Sequence, residues 1–263
     1  MAKKQVNRIG ASDEKASYLG RVFSLLKFLA ERGDEGARVP DICHRFGIHR
    51  VTAHRLLRTL VDLSYIEQSP DLGYRLGFEA WSLGLAASRQ FVSPAVAAAM
   101  KRISDASEEC VFLMRRAGND GVCTGFQEGV FPFRSFVMRV GTVRPLGIGG
   151  TSVALLAALP IEQADQVIRN NAAQYQRHQI TESDVRKLIS DARRRGYAYS
   201  QGAVVAESRT LAVSLALLDD PGAMMSMSII TLESRIAGPR RSMLIKLLQS
   251  EAAALARASL KTT

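Results

Sequence analysis

Cysteine is scarce in this chain of 263 residues, and its three copies are scattered. Cys43, Cys110 and Cys123 form no CxxC pair and have no histidine at the spacing of a zinc ligand set. Disulfide-stapled scaffolds and zinc modules depend on such pairs. The sequence therefore predicts a protein of a reducing compartment with no metal site and no cofactor.

Long apolar runs are also missing. No stretch of about 18 apolar residues is present, which is the length that a membrane-spanning helix needs, and the N-terminus shows no signal-peptide pattern. We therefore expect a soluble cytoplasmic protein that has no membrane partner.

Negative charge is the third shortage: 25 Asp and Glu stand against 35 Lys and Arg, a formal net charge of +10. Such an excess favours an anionic partner, either nucleic acid or an anionic surface. The window from Pro40 to Leu60 concentrates the effect, because it contains four Arg, one Asp and three of the four His.

This window has the pattern of two helices joined by a tight turn. Pro40 to Phe46 predicts a short helix, Gly47 can take the positive φ of a turn, and a second helix follows from about Arg50. Apolar residues recur along the second helix at the spacing of one buried face, namely Ala53, Leu56, Leu57, Leu60 and Leu63. A solvated basic face on an ordinary helix pair would look similar, but the arrangement is typical of a helix-turn-helix whose second helix enters the DNA major groove.

A hairpin follows the second helix. Tyr65 and Ile66, then Tyr74 and Leu76, flank a turn rich in Ser, Pro, Asp and Gly, which predicts a two-stranded wing. The sequence thus predicts a winged helix-turn-helix that binds double-stranded DNA. Its predicted DNA-binding residues are the polar residues of the free helix face and one wing cation: His49, Arg50, Thr52, His54, Arg55, Arg58 and Arg75.

The remaining chain predicts an α+β fold with an antiparallel sheet. Short apolar segments are expected to be strands, at 110–116, 121–126, 133–140, 209–218 and 223–230. Amphipathic segments predict helices at 150–159, 161–170, 181–196 and 239–261. In the N-terminal part, the first helix is predicted to bury Leu19, Val22, Phe23, Leu26, Phe28 and Leu29, and Trp81 to pack at a domain junction. The predicted divisions are a disordered arm at 1–16, the winged helix-turn-helix at 17–77, a linker helix at 78–91 and a second domain at 92–263.

The chain resembles the IclR family of bacterial transcriptional regulators. The run Val51–Leu57 matches that family's STxHRLLxxL-like pattern, and Tyr74–Gly77 matches its YRLG ending of the wing. Pro145–Ala154 corresponds more loosely to P-L-x-x-T-A-x-G-K-A in the second domain. Departures are Gly149 at the Thr, Ser152–Val153 at the Gly-Lys, Thr210 at a frequent Cys and Glu207 at a frequent Gly.

The resemblance implies a homodimer or dimer of dimers that reads a palindromic operator under the control of a small organic acid or aromatic effector. The Gly-rich run at 147–151 lacks the Lys of a phosphate-binding loop, but it opens a helix whose amides could receive a carboxylate. The predicted effector-binding residues are Gly149, Gly150, Thr151, Ser152, Thr210, Ser214 and Met227, with Arg139, Arg144 and Arg209 as candidate partners of a carboxylate.

Two alternatives differ in the role of the second domain. In one, it only oligomerises and binds no ligand. In the other, it is an enzyme, but His178 is the one histidine outside the DNA-binding segment and no acid–base pair accompanies it. The sequence therefore predicts no enzymatic activity.

Overall fold

The computed structural model describes residues 17–70, 73–131, 138–202, 206–215 and 224–260, with the backbone alone at 88–90. The chain divides into two compact units, Met1–Ser88 and Arg89–Thr263.

The described part of the N-terminal unit begins with three helices and a hairpin. Their bounds are α1 (Tyr18–Arg32), α2 (Val39–Phe46), α3 (Arg50–Asp62), β1 (Ile66–Gln68) and β2 (Tyr74–Leu76), with a 3₁₀ turn at Gly33–Glu35. The antiparallel strands pair Glu67 with Arg75. Helix, helix, helix and hairpin in this order make a winged helix-turn-helix, which confirms the predicted fold of this part.

The core of this unit lies between the three helices and the hairpin. Buried members are Leu25, Leu29, Ala37, Val39, Ile42, Ala53, Leu56, Leu57, Leu60, Ile66 and Tyr74. The predicted apolar face of α1 was wrong in part, because Leu19 and Phe23 are exposed and Leu25 is buried in their place. Leu63, predicted on the buried face of α3, is also exposed, since it caps the helix and lies outside its last turn.

Helix α4 (Phe78–Phe91) follows the wing directly. The amide of Glu79 donates to the carbonyl of Ser64 at 3.0 Å, which ties its first turn to the end of α3. Trp81, predicted to pack, is 60% exposed, and its ring contacts that of Phe78 at a centroid distance of 5.3 Å.

As far as its residues are described, the C-terminal unit is an α+β structure built on a six-stranded sheet. Its strands are β3 (Cys110–Ala117), β4 (Asp120–Gln127), β5 (Val143–Pro145), β6 (Ala198–Gln201), β7 (Ser208–Leu215) and β8 (Met225–Leu232). Its helices are α5 (Pro94–Ser107), α6 (Gly150–Ala158), α7 (Ile161–Asn170), α8 (Ala172–Arg177), α9 (Glu182–Arg195) and α10 (Gly238–Ser259). The strand order is β5-β4-β3-β8-β7-β6, and every pairing in it is antiparallel. The predicted α+β fold is confirmed.

Helices cover both faces of this sheet, because alternate strand residues point in opposite directions. On one face Phe112, Met114 and Ile230 pack with residues of α6 to α9, including Leu155, Ile168 and Val185. On the other face Val111, Leu113, Met227 and Ile229 pack with α5 and α10 through Met100, Leu244 and Leu248. The strands therefore bury side chains on both sides, which explains their near-continuous apolar sequences.

One predicted strand, at 133–140, lies mostly outside the described residues. Its described part, residues 138–140, is not in a strand. The next described strand is β5, which pairs with β4 through Val143 and Val122.

Helix ends in this unit follow local sequence rules. Ser93 caps α5 and precedes a proline at the first helical position. Thr181 and Asp184 form a reciprocal capping box at the start of α9, and Gly196 ends that helix with a φ of 73°. In the part of the chain that the structure describes, none of the helices is both long and apolar enough to cross a bilayer.

Candidate DNA-binding face and ligand cavity

The turn between α2 and α3 presents the second helix to solvent. Gly47 caps α2 in the left-handed region at φ 61° and ψ 35°, a conformation that few residues with a side chain adopt. His49 is the N-cap of α3, and the first turn of α3 has no acidic residue. No carboxylate in the first turn therefore offsets the positive end of the helix dipole. A helix N-terminus of this kind attracts anions such as phosphates.

The outer face of α3 holds most of the predicted DNA-binding residues. His49, Arg50, His54, Arg55 and Arg58 are exposed. Thr52 is half-buried, because it lies beside the inward-facing Ala53 at the flank of this face. The buried side of the same helix packs into the core of the N-terminal unit.

Sequence reasoning missed one residue on this face. Val51 is 81% exposed, and it lies three, four and seven residues before His54, Arg55 and Arg58. Residues at those spacings share one helix face. Val51, His54, Arg55 and Arg58 therefore lie at the centre of the outer face, and three of these four residues were among those predicted.

The wing cation has an acidic partner. Arg75 Nε donates to Glu67 Oε1 at 2.6 Å across the hairpin, and both side chains are about half exposed to solvent. A phosphate that approached Arg75 would compete with this carboxylate.

A small cavity in the C-terminal unit lies between the sheet and the start of α6. Four of the predicted effector-binding residues line it: Gly149, Gly150, Thr151 and Thr210. The other lining residues are Met114, Arg144, Ile148, Ser200, Ser208 and Ile230. One cation, several hydroxyl groups and an apolar wall are therefore brought together from segments far apart in the chain.

Serines that sequence reasoning missed fix the first turn of α6. The amide of Gly150 donates to Ser200 Oγ at 2.8 Å. Ser226 Oγ donates to the carbonyl of Thr151 at 2.8 Å, and Thr151 Oγ1 lies 2.8 Å from Ser228 Oγ. The Gly150 amide, expected to receive a carboxylate, is thus engaged by a strand residue. The alternation of Met and Ser in β8 was the available signal, because it puts serines on a buried strand face.

Three predicted effector-binding residues do not line this cavity within the described chain. Ser152 Oγ is turned to its own helix and donates to the carbonyl of Ile148 at 2.7 Å. Ser214 lies further along β7 and lines a separate cavity of about 260 Å³ beside Ala154 and Ala157. Met227 is buried on the opposite face of the sheet, because it alternates with Ser226 and Ser228.

Only one of the three candidate arginines lines the cavity in the described structure. Arg144 does so, and burial lowers the pKa of its guanidinium, which nonetheless stays charged at neutral pH. Arg139 is exposed. Arg209 lies on the other face of β7, where it donates to Glu233 Oε2 at 2.6 Å.

The cavity is narrow but adjoins a larger one. It measures about 10 Å³, which is room for roughly one water molecule. A neighbouring cavity of about 540 Å³ shares Gly149 and Ser200 with it and is also lined by Tyr197, Tyr199 and His178. The larger volume lies in the range of small-molecule sites.

A buried tyrosine holds the glycine-rich turn between these cavities. Tyr175 Oη donates to the carbonyl of Leu146 at 2.6 Å, and a Cβ at Gly147 would lie 2.7 Å from that same oxygen atom of Tyr175. Burial raises the pKa of Tyr175 to about 12, so it remains a donor at neutral pH. Among the described residues no group of three or more His, Cys, Asp or Glu could hold a metal ion.

Comparison with known families matches both units. The model of the IclR helix-turn-helix domain matches residues 19–70, and the model of the bacterial transcriptional regulator IclR C-terminal domain matches residues 85–257. A comparison with curated protein sequences found no match.

Solved structures share the fold over nearly the whole chain. An IclR transcriptional regulator from Alicyclobacillus acidocaldarius is 22% identical, with a TM-score of 0.76, 92% of this chain covered and 98% of that one. IclR from Thermotoga maritima is 18% identical, with a TM-score of 0.70 and the same coverage of 92% and 98%. An IclR homologue from Microbacterium hydrocarbonoxydans, complexed with 4-hydroxybenzoate, is 21% identical, with a TM-score of 0.75 and coverage of 94% and 100%.

The two family models together cover the helix-turn-helix and the α+β unit in the order in which the structure has them. The chain therefore belongs to the IclR family of DNA-binding bacterial transcriptional regulators.

Proposed function

We propose that this regulator reads its operator with α3 in the major groove and the wing beside it. The supporting observation is the exposed outer face of α3, on which Arg55 and Arg58 project while Leu56, Leu57 and Leu60 are buried. A major groove about 12 Å wide admits one helix, and an arginine fork pairs with the edge of guanine. His49, Arg50, Thr52, His54 and, from the wing, Arg75 complete the proposed contacts.

Two copies of the chain would read two half-sites. A two-fold dimer places its recognition helices one helical turn apart, or a multiple of it, so the operator is proposed to be palindromic. A dimer of dimers would bind two such sites. Cross-linking and sedimentation of the protein with operator DNA distinguish a dimer from a dimer of dimers.

The DNA proposal is tested with operators selected from random duplex DNA by the full chain. Arg55→Ala is expected to weaken specific binding by about 1–3 kcal/mol. Arg32→Ala is a control in the same unit, because Arg32 lies on α1, where its guanidinium donates to the carbonyl of Gly36. If Arg55→Ala and Arg50→Ala both bind the operator as the parent does, α3 is not the reading helix.

We also propose that a small organic acid binds beside Arg144 and controls the regulator. The observation that supports this is a charged guanidinium on the wall of a cavity that also contains Ser200, Thr210 and the start of α6. A guanidinium pairs with a carboxylate through two parallel hydrogen bonds. The adjoining 540 Å³ cavity gives space for the rest of the molecule.

A carboxylate series tests the effector proposal by calorimetry. The Microbacterium homologue binds 4-hydroxybenzoate, so this acid and its uncharged amide are the first pair of probes. Arg144→Gln is expected to weaken the acid about tenfold or more and to leave the amide unchanged, since a charge-assisted pair contributes about 1.5–3 kcal/mol. Arg139→Gln removes an exposed cation from the same segment and is the control.

Space in the cavity offers a second test. A Cβ at Gly150 would lie 3.0 Å from Thr210 Cγ2 and 3.1 Å from Ser200 Oγ. Gly150→Ala should therefore obstruct the ligand while the operator affinity stays near that of the parent. Gly149→Leu is a poorer choice, because Gly149 has a φ of 84° and any side chain there strains the backbone.

The narrowness of the inner cavity favours the alternative in which the C-terminal unit only oligomerises. That alternative predicts no heat of binding for any acid of the series and no change of operator affinity on adding them. If an acid of the series releases heat on binding to the parent but not to Arg144→Gln, the oligomerisation-only alternative is excluded.

A further inference from the structure

The recognition helix carries an apolar side chain that the proposed arginine contacts leave unexplained. Val51 lies in the first turn of α3 and is 81% exposed. It shares the outer face with His54, Arg55 and Arg58. Single exposed apolar residues are common on protein surfaces, so its position, rather than its exposure alone, is the informative fact.

Val51 lies outside the packed core of this unit. The buried face of α3 is formed by Ala53, Leu56, Leu57 and Leu60, and Val51 belongs to none of the clusters of packed residues in the described chain. Val51 also cannot cap the N-terminus of α3, because its side chain has no hydrogen-bonding group. A role in packing or capping is therefore not available to explain it.

The chemistry of the major groove limits what Val51 can contact. Donors and acceptors line the groove, and the 5-methyl group of thymine is the apolar group that a base edge presents there. A Ser at this position could bond to a phosphate or to several bases. A Val cannot form those bonds.

We propose that Val51 is a specificity-determining residue that packs on the 5-methyl group of a thymine in each operator half-site. The proposal rests on the docking of α3 in the major groove described above. Four residues along a helix span about 6 Å, and successive base pairs are about 3.4 Å apart. The thymine should therefore lie within about two base pairs of the base that Arg55 contacts.

The test removes single methyl groups from the selected operator. Each thymine of a half-site is replaced in turn by deoxyuridine, which lacks the methyl group and keeps every hydrogen-bonding group. One replacement, within about two base pairs of the Arg55 contact, should weaken binding roughly fourfold, which corresponds to about 0.8 kcal/mol for one buried methyl group. The base contacted by Arg55 is located as the operator position at which Arg55→Ala no longer distinguishes one base pair from another.

Variants of Val51 complete the cycle. Val51→Ala should bind the thymine operator roughly fourfold more weakly and show no further loss on the deoxyuridine operator. Val51→Ser should tolerate other base pairs at that position. Val61→Ala, a valine on the same helix that packs against the core, is the control and should keep the full sensitivity to deoxyuridine.

The outcomes separate this proposal from the docking of α3. If Arg55→Ala loses operator binding but Val51→Ala stays as sensitive to deoxyuridine as the parent, Val51 does not read the methyl group. If the selected operators have no thymine near the base that Arg55 contacts, the proposed contact of Val51 with a thymine methyl group is likewise wrong. If neither Arg55→Ala nor Val51→Ala changes binding, the docking itself is wrong and the proposal is overturned with it.

Discussion

In the N-terminal unit the candidate functional groups project from one exposed helix face, whereas in the C-terminal unit they surround a cavity between a sheet and a helix. Arg55 and Val51 are placed by the turn of a single helix. Arg144, Ser200 and Thr210 come from three strands separated in sequence. The site on α3 depends on the periodicity of residues along one helix. The cavity depends on how distant segments of the chain pair with one another.

The two units also use charge differently. On α3 the arginines face solvent, where a DNA phosphate or base can reach them. In the C-terminal unit Glu109 is 2% exposed and accepts from Arg235 Nε at 2.6 Å and from Arg240 Nη2 at 3.0 Å. The α3 face thus keeps charge available for a partner, whereas the cluster at Glu109 uses charge within the fold.

The largest effect is expected from breaking that buried cluster. Glu109→Ala leaves Arg235 and Arg240 without their shared carboxylate, at a cost of about 3 kcal/mol, since both guanidinium groups are partly exposed. Hydrogen exchange should show lower protection in β3 and β8 and unchanged protection in α3.

The control for that variant is Asp105→Ala, which removes an exposed carboxylate paired with Lys101. Its cost should stay below about 1 kcal/mol. Equal costs for Glu109→Ala and Asp105→Ala would contradict a structural role for the buried cluster.

The next largest effect concerns the glycine-rich turn. Tyr175→Phe removes the hydroxyl group that donates to Leu146 and should cost about 1–2 kcal/mol of unfolding free energy. The matched change Tyr199→Phe removes a hydroxyl group that accepts from the exposed Gln201 and should cost much less. Urea unfolding compares the two, and a smaller cost for Tyr175→Phe would show that the turn does not depend on this bond.

A smaller effect is expected from single cations that touch phosphate. Arg58→Gln should flatten the plot of log affinity against log salt by about 0.9, the slope of one phosphate contact. Arg177→Gln makes the same charge change on the surface of the C-terminal unit and should leave the slope unchanged. Identical slopes for both variants would mean that net charge, and not the α3 face, determines the salt dependence.

The smallest effect should strengthen binding. Glu67→Gln removes the carboxylate that pairs with Arg75 and leaves that guanidinium for phosphate. Operator affinity should rise by about 0.3–1 kcal/mol at low salt, and the gain should shrink as salt is added. Glu31→Gln, an exposed change on α1, is the comparison, and an equal gain there would rule out a specific role for the wing pair.

The accuracy of the sequence predictions differed between local and long-range features. Helix ends such as Thr181 with Asp184 depend on residues three apart, and the structure has the cap that the sequence indicates. The apolar face of α1 was assigned with Leu19 and Phe23, although Leu25 is the buried residue. An amphipathic pattern with several apolar residues does not show which of them meets the next helix, because that depends on the packing direction.

Within the cavity, predictions that used one segment alone were the weakest. Gly150 was expected to offer its amide, but Ser200 reaches it from another strand. Met227 was placed beside the effector, although the pairing of β8 turns it to the opposite face. A shift of one residue in strand register exchanges the two faces, and the sequence of β8 alone does not show which neighbour each face meets.

By itself the sequence determined the order of the units, the helix-turn-helix with its basic outer face, and the alternation of helices and strands in the second unit. These follow from residue periodicity, from glycine at Gly47 and from caps, all of which act over a few neighbours. The tertiary structure alone decided that Arg144 lies with Ser200 and Thr210 and that Glu109 is shared by two arginines. Those contacts join residues that are tens of positions apart, and only the pairing of six strands and the helices packed on them brings such residues together.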